Sequence, residues 1–200
     1  TLSIEDKWIL SKLNTLAGEV CANLDAYELG VAAGKIYDFI WDDFCDWYIE
    51  LTKTRLYGES ETDKLQAQKV LLYVLTETLK LLHPFMPFIT EEIFQALPHD
   101  GEAIMVSPYP SYTKSLSYPG EEAAMETVMT AIKAVRSRRA EMNVPPSKKA
   151  HIIAVTDKTD VFTAGIPFLV KLAYASSVDV TNTAPENIDG MVSIVTDECK

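Results

Sequence analysis

The chain has 200 residues, 48% of them apolar, which suffices for one or two domains with a substantial core. Its net charge of −11 argues against a protein that holds nucleic acid through overall positive charge, and three widely spaced cysteines argue against a disulfide framework or zinc site. No apolar run reaches the roughly 18 residues of a membrane span, because Glu77 and Lys80 interrupt the longest candidate.

The acidic start, Thr-Leu-Ser-Ile-Glu-Asp, lacks the order of a signal peptide, and with no initiator Met it reads as a piece of a longer, cytoplasmic chain. Ser3 is a good N-cap with Glu5 and Asp6 in the first turn. Ile9, Leu13, Leu16, Val20 and Leu24 then predict an amphipathic helix to about Leu24. A second helix is expected from Tyr27 to Leu56, about 45 Å long at 1.5 Å per residue. Ala33, Ile36, Ile40, Phe44, Trp47 and Leu51 form its predicted buried stripe. Tyr37, Trp41, Trp47 and Tyr48 lie on or beside that stripe, which favours a place in the core over a role as platforms for bases.

Thr62 opens a third helix with a seam of Leu65, Leu72, Leu75, Leu79 and Leu82. Pro84 stops it, since proline lacks the N–H and disfavours helix in the residue before it. Thr90 suits the N-cap of a short fourth helix, with Glu91 and Glu92 in its first turn. Phe85, Met86, Phe88 and Ile89 are too apolar for a solvated loop, which predicts a buried corner completed by His83. Residues 98–120 read as a loop wrapping the bundle, pinned by Ile104-Met105-Val106 and Tyr109. A fifth helix is expected over Glu121–Met142, ended by Pro145-Pro146, with Met125, Val128, Ile132 and Val135 inward. Beyond it His151–Thr156, Val178–Thr181 and Met191–Val195 read as strands and Pro167–Ala175 as a helix. The predicted organisation is a helical bundle over residues 1–146 and a small α/β subdomain over 147–200.

There is no Gly-rich phosphate loop, no Ser/His/Asp spacing and no Cys–His nucleophile arrangement. Asp38, Asp42 and Asp46 share one line of the long helix, either a solvated face or a set of acceptors for a ligand. Ile49 interrupts the polar line Lys35, Asp38, Asp42, Asp46, Lys53. An apolar residue there is either buried against the 98–120 loop or offers contact to a partner such as an unpaired RNA base. Between Lys133 and Lys149 six basic residues face one acid, Glu141, so the strip carries +5 on an otherwise acidic body. Within it Arg136 and Arg139 share a helical face with Lys133. RNA backbone, solvent or another part of a longer protein are all open as its counterpart.

Three segments carry a resemblance: Leu-Leu-His-Pro-Phe-Met-Pro-Phe-Ile-Thr-Glu-Glu-Ile-Phe at 81–94, Trp-Asp-Asp-Phe-Cys-Asp-Trp-Tyr-Ile-Glu-Leu-Thr-Lys-Thr-Arg-Leu at 41–56, and Arg-Ser-Arg-Arg-Ala-Glu-Met-Asn-Val-Pro-Pro-Ser-Lys-Lys at 136–149. In that order they resemble the anticodon-binding helical domain of class I aminoacyl-tRNA synthetases, its valyl branch most of all. The resemblance implies a mainly α fold, an anticodon-binding helical bundle followed by a small α/β subdomain. It implies a positional role: holding a valine-accepting tRNA for a catalytic domain outside this chain. Asp46, Ile49 and Lys53 become candidate anticodon contacts, and Arg55, Arg136 and Arg139 candidate phosphate contacts. The family's His-Ile-Gly-His and Lys-Met-Ser-Lys-Ser type signatures are absent, as is its editing domain. The chain itself is thus expected to be no enzyme and to hold no cofactor or metal, ATP belonging to the catalytic domain of the parent. Catalytic and editing domains are the implied protein partners. From acidity alone, a helical protein-interaction module without RNA remains the alternative.

Overall fold

The computed structural model describes residues 2–185, 190–197 and 199. Helix α1 (Ile4–Asp25) starts after Ser3, whose backbone N–H donates to the Asp6 carboxylate at 3.3 Å. It buries Trp8, Ile9, Leu13, Leu16 and Val20. At its end Tyr27 takes φ +59°, and the N–H groups of Tyr27 and Glu28 return to the carbonyls of Leu24 and Asn23. That is the left-handed cap which glycine usually supplies, so a tyrosine there is strained.

The long helix is one run of three parts: α2 (Leu29–Asp38), a π-helical stretch over Phe39–Tyr48, and α3 (Ile49–Leu56). The wider i→i+5 turn shifts the inward line, so that Phe39 and Tyr48 join Phe44 and Trp47 inside. Helix α4 (Glu61–Leu82) starts at Ser60, whose hydroxyl accepts from Asp63 N–H at 3.3 Å. Its buried line is Ala67, Val70, Val74, Thr78 and Leu81 rather than the leucine seam. Of the five expected leucines only Leu79 is fully buried, and Leu65 faces water.

Helix α5 (Pro87–Ala96) begins at Pro87, one turn earlier than expected, because proline is pre-set for the first helical position. Thr90 is therefore inside the helix and not its cap. Its hydroxyl donates to the Met86 carbonyl at 2.8 Å and sits 2.7 Å from His83 Nδ1, which is left to act as donor. The corner itself is not buried: Met86, Phe88 and Ile89 face water. Phe94 packs instead with Leu79 and Ile104.

From there the chain runs back along α1 as a strap. Tyr109 Oη donates to the Leu81 carbonyl at 3.1 Å, and Cys21 Sγ to the Pro110 carbonyl at 3.4 Å. The Tyr112 side chain lies on Gly18, where an added Cβ would stand 3.2 Å from it. Asn14 accepts from Thr113 N–H at 2.7 Å and Ser11 from Tyr118 N–H at 2.8 Å. Contact positions 21, 18, 14 and 11 are one helical face, so the strap satisfies its own backbone on polar side chains of α1.

The described chain divides into two compact units, residues 1–122 and 123–200. Helix α6 (Pro119–Glu141) has its first turn in the first and the rest in the second, where Met125, Val128, Met129 and Ile132 are buried. It ends before the proline pair, in a left-handed cap at Asn143 (φ +54°) with Val144 N–H on the Arg139 carbonyl. Strands β1 (Ala150–Val155) and β2 (Ala175–Thr181) pair in parallel, joined by helix α7 (Thr159–Leu172). Helix α7 presses onto α6 at Gly165, where a Cβ would lie 2.8 Å from a Val128 methyl. Residues 191–195 form no strand; beyond them lies an antiparallel bridge, Thr196 to Cys199.

Candidate nucleic-acid interface

The π-helical turn that carries Phe39, Phe44, Trp47 and Tyr48 inward leaves the opposite wall in water. Tyr37, Asp38, Trp41, Asp42 and Asp46 are all exposed along it. Tyr37 and Trp41, expected in the core, are 63% and 52% exposed. Their rings face each other with centroids 6.2 Å apart at 53°, one helical turn separating them.

Further along, Ile49 is half-buried and its carbonyl accepts the Thr52 hydroxyl at 2.9 Å. Lys53 ion-pairs with Glu50 one turn back, and both remain more than a third exposed. The wall thus carries two aromatic rings, a row of carboxylates, one aliphatic side chain and a cation at its end.

Arg55 is placed differently. Its guanidinium turns inward onto Asp6, Nη1 to Oδ2 at 2.9 Å and Nη2 to Oδ1 at 2.5 Å, with Nε 2.9 Å from Glu5. Tyr48 Oη donates to the same Asp6 carboxylate at 2.7 Å. Burial works against the Arg55 charge, but Asp6 and Glu5 outweigh it and hold the proton more firmly than usual. Burial also raises the Tyr48 phenol, with Asp6 adding to it, and raises the Glu5 carboxyl against the opposing pull of Arg55. This cluster ties the start of α1 to the end of α3. Sequence spacing could not separate it from a surface arginine, because its partner Asp6 lies 49 positions away along the chain.

In the second unit Arg136 stands exposed on α6. Arg139 is engaged locally: one nitrogen donates to the carbonyls of Pro145 (3.0 Å) and Lys148 (2.5 Å), and the guanidinium lies 5.6 Å from the Tyr174 ring. Arg138 pairs with Glu141 at 2.9 Å. Lys148 and Lys149 are exposed on the turn that Arg139 holds.

Aromatic faces can stack on unpaired bases, carboxylates can accept from base amino groups, and exposed cations can meet phosphate. Two further aromatics, Tyr27 and Phe88, are 90% exposed. The only sequence signal for them is apolarity at a turn, which points equally to burial. Among the described residues, no three His, Cys, Asp or Glu side chains converge on a metal position, and no helix is long and apolar enough to cross a membrane.

Comparison with known proteins adds an independent line. A family model described as the anticodon-binding domain of tRNA ligase matches residues 6–154. The valine–tRNA ligase of Clostridium acetobutylicum is 48% identical over 196 residues, 97% of this chain and 22% of that protein. That of Carboxydothermus hydrogenoformans is 52% identical over 155 residues, 78% of this chain and 18% of its own length. That of Bacillus cereus is 49% identical over 150 residues, 75% of this chain and 17% of its own length. The chain thus spans about a fifth of the length of the relatives it matches.

Proposed function

Because the chain belongs to the anticodon-binding domain family of tRNA ligases, we propose that it grips the anticodon arm of a valine-accepting tRNA. In a longer polypeptide it would set the distance and angle at which the acceptor end of the tRNA reaches a catalytic domain. Valine activation with ATP, and any editing, would belong to that remainder, in the cytoplasm. Residues 1–146 are the proposed RNA-reading domain and 147–200 its α/β companion.

The observation that carries the reading is the open outer wall of the long helical run, where Tyr37, Trp41, Asp42 and Asp46 all stand in solvent. Unpaired anticodon bases would lie against the rings and Ile49, with Asp46 accepting from a base amino group. Lys53, moving from Glu50, and Arg136 would contribute phosphate contacts, which position the RNA without reading it. Arg55 and Arg139 serve indirectly in this account: Arg55 fixes the base of the wall, and Arg139 shapes the turn that presents Lys148 and Lys149.

The test is a binding titration of the chain with valine-accepting tRNA as salt is raised. Contact to about three phosphates predicts a log–log slope of about −2 to −3. Trp41→Ala should weaken binding about tenfold at fixed salt, the scale of one lost stacking contact. A salt-independent affinity, unaltered by Trp41→Ala, would instead support a protein-interaction role.

A further inference from the structure

The corner between α4 and α5 ends in apolar side chains that nothing in the described chain covers. Phe88 is 90% exposed, Met86 50% and Ile89 47%. The short turn Ile104–Val106 is laced to the same helix: Glu91 Oε2 accepts Ile104 N–H at 3.0 Å, and Gln95 Nε2 donates to the Glu102 carbonyl at 2.9 Å. Ile104 is buried beside Phe94, while Met105 and Val106 face water. Two exposed apolar tips are therefore attached to α5, one leading into it and one laced to its side. Neither tip, Pro84–Ile89 or Met105-Val106, includes a charged residue. The first is also held in shape, by Pro87 at the first helical position and by the His83–Thr90–Met86 hydrogen bonds.

We propose that this corner is a docking surface for an apolar face of another domain in the longer polypeptide, with the Phe88 ring as its anchor. RNA is a poorer occupant here than at the outer wall, because the tips offer no cation to a phosphate backbone and no side-chain hydrogen-bonding group to a base edge. A second copy is also a poor one. Five side chains fall well short of the roughly 800 Å² per partner that a free-standing dimer buries. A domain joined covalently needs less, since the linkage supplies the effective concentration. Length argues the same way: the matched span is 22% of the Clostridium acetobutylicum relative, so most of such a polypeptide lies elsewhere. The inference rests on the family membership and not on the RNA-reading wall.

Hydrogen exchange compares the 200-residue chain with the full-length polypeptide, each with and without Phe88→Glu. In the short chain the substitution leaves the unfolding midpoint unchanged, because the ring already stands in water. In the full-length protein the amides of residues 88–92 and 104–106 exchange at least about tenfold more slowly than in the short chain, and Phe88→Glu removes that protection. Equal exchange in the two lengths overturns the proposal, as does protection that survives Phe88→Glu. So does concentration-dependent dimerisation of the short chain that Phe88→Glu abolishes, which would assign the corner to a second copy. Weakened tRNA binding by the Phe88→Glu short chain would assign it to RNA and also overturn the proposal. Loss of tRNA binding in Trp41 variants with exchange unchanged bears on the outer wall alone.

Discussion

Arg55 and Asp6 stand 49 positions apart in sequence and meet in a two-pronged ion pair, with Tyr48 Oη on the same carboxylate. The wall proposed to read RNA is the outer side of the helix whose inner side this cluster fastens. Removing one member of a buried pair strands the other charge, and Asp6 is fully buried. Arg55→Ala should therefore cost about 3 kcal/mol of stability, read by urea unfolding at neutral pH. Any loss of tRNA affinity should vanish at temperatures where the variant is fully folded. Unchanged stability with lost tRNA binding would put Arg55 on the RNA.

Glu5 gives the cluster a pH signature. Burial raises its carboxyl above the ordinary value of 4.5, so the folded chain holds this proton more tightly than the unfolded one. A raised carboxyl contributes stability that is complete below 4.5 and is lost as pH rises through the folded value. Glu5→Gln cannot titrate. The stability of the parent relative to Glu5→Gln should accordingly fall as pH rises from 4.5 and level off once the pH has passed the folded value. A difference that grows with pH would contradict the assignment.

Gly165 in α7 faces Val128 in α6 with no room for a methyl group, since the added Cβ would meet side-chain atoms at 2.8 and 3.0 Å. Both residues belong to the second unit. Gly165→Ala should destabilise that unit by about 1–3 kcal/mol, the usual cost of overpacking. Pairing it with Val128→Ala should recover most of the loss, measured by thermal unfolding of the double variant.

The helices were legible because their signals are local. Ser3 lies at the start of α1 as read, whereas α4 starts after Ser60 rather than at Thr62, and α5 at Pro87 rather than after Thr90. What stayed hidden depended on partners far along the chain. The inward line of the long helix follows a π-helical turn, and no residue pattern within Phe39–Tyr48 announces one, so Tyr37 and Trp41 read as core while standing in water. Apolarity also stood in for burial at Phe88 and Met105, although an apolar side chain meant for a partner looks the same in sequence. The leucine seam of α4 failed for a related reason: burial went to Ala67, Val70 and Val74, on a line set by the neighbouring helices. Among the candidate site residues, Asp46 stands exposed with Asp38 and Asp42, as the spacing suggested, while Ile49 and Lys53 are half-buried. The inward turn of Arg55 and the local role of Arg139 required knowing what lies beside them.

The central claim is that the outer wall reads an anticodon. Its most direct measurement is the affinity of this chain, at one salt concentration, for a valine-accepting tRNA and for the same tRNA with one anticodon base replaced. The account predicts at least about tenfold tighter binding of the unaltered tRNA, on the scale of 1–3 kcal/mol per misread base, and loss of that preference in Ile49→Glu. Equal affinity for both RNAs, in the parent and in Ile49→Glu alike, would contradict it.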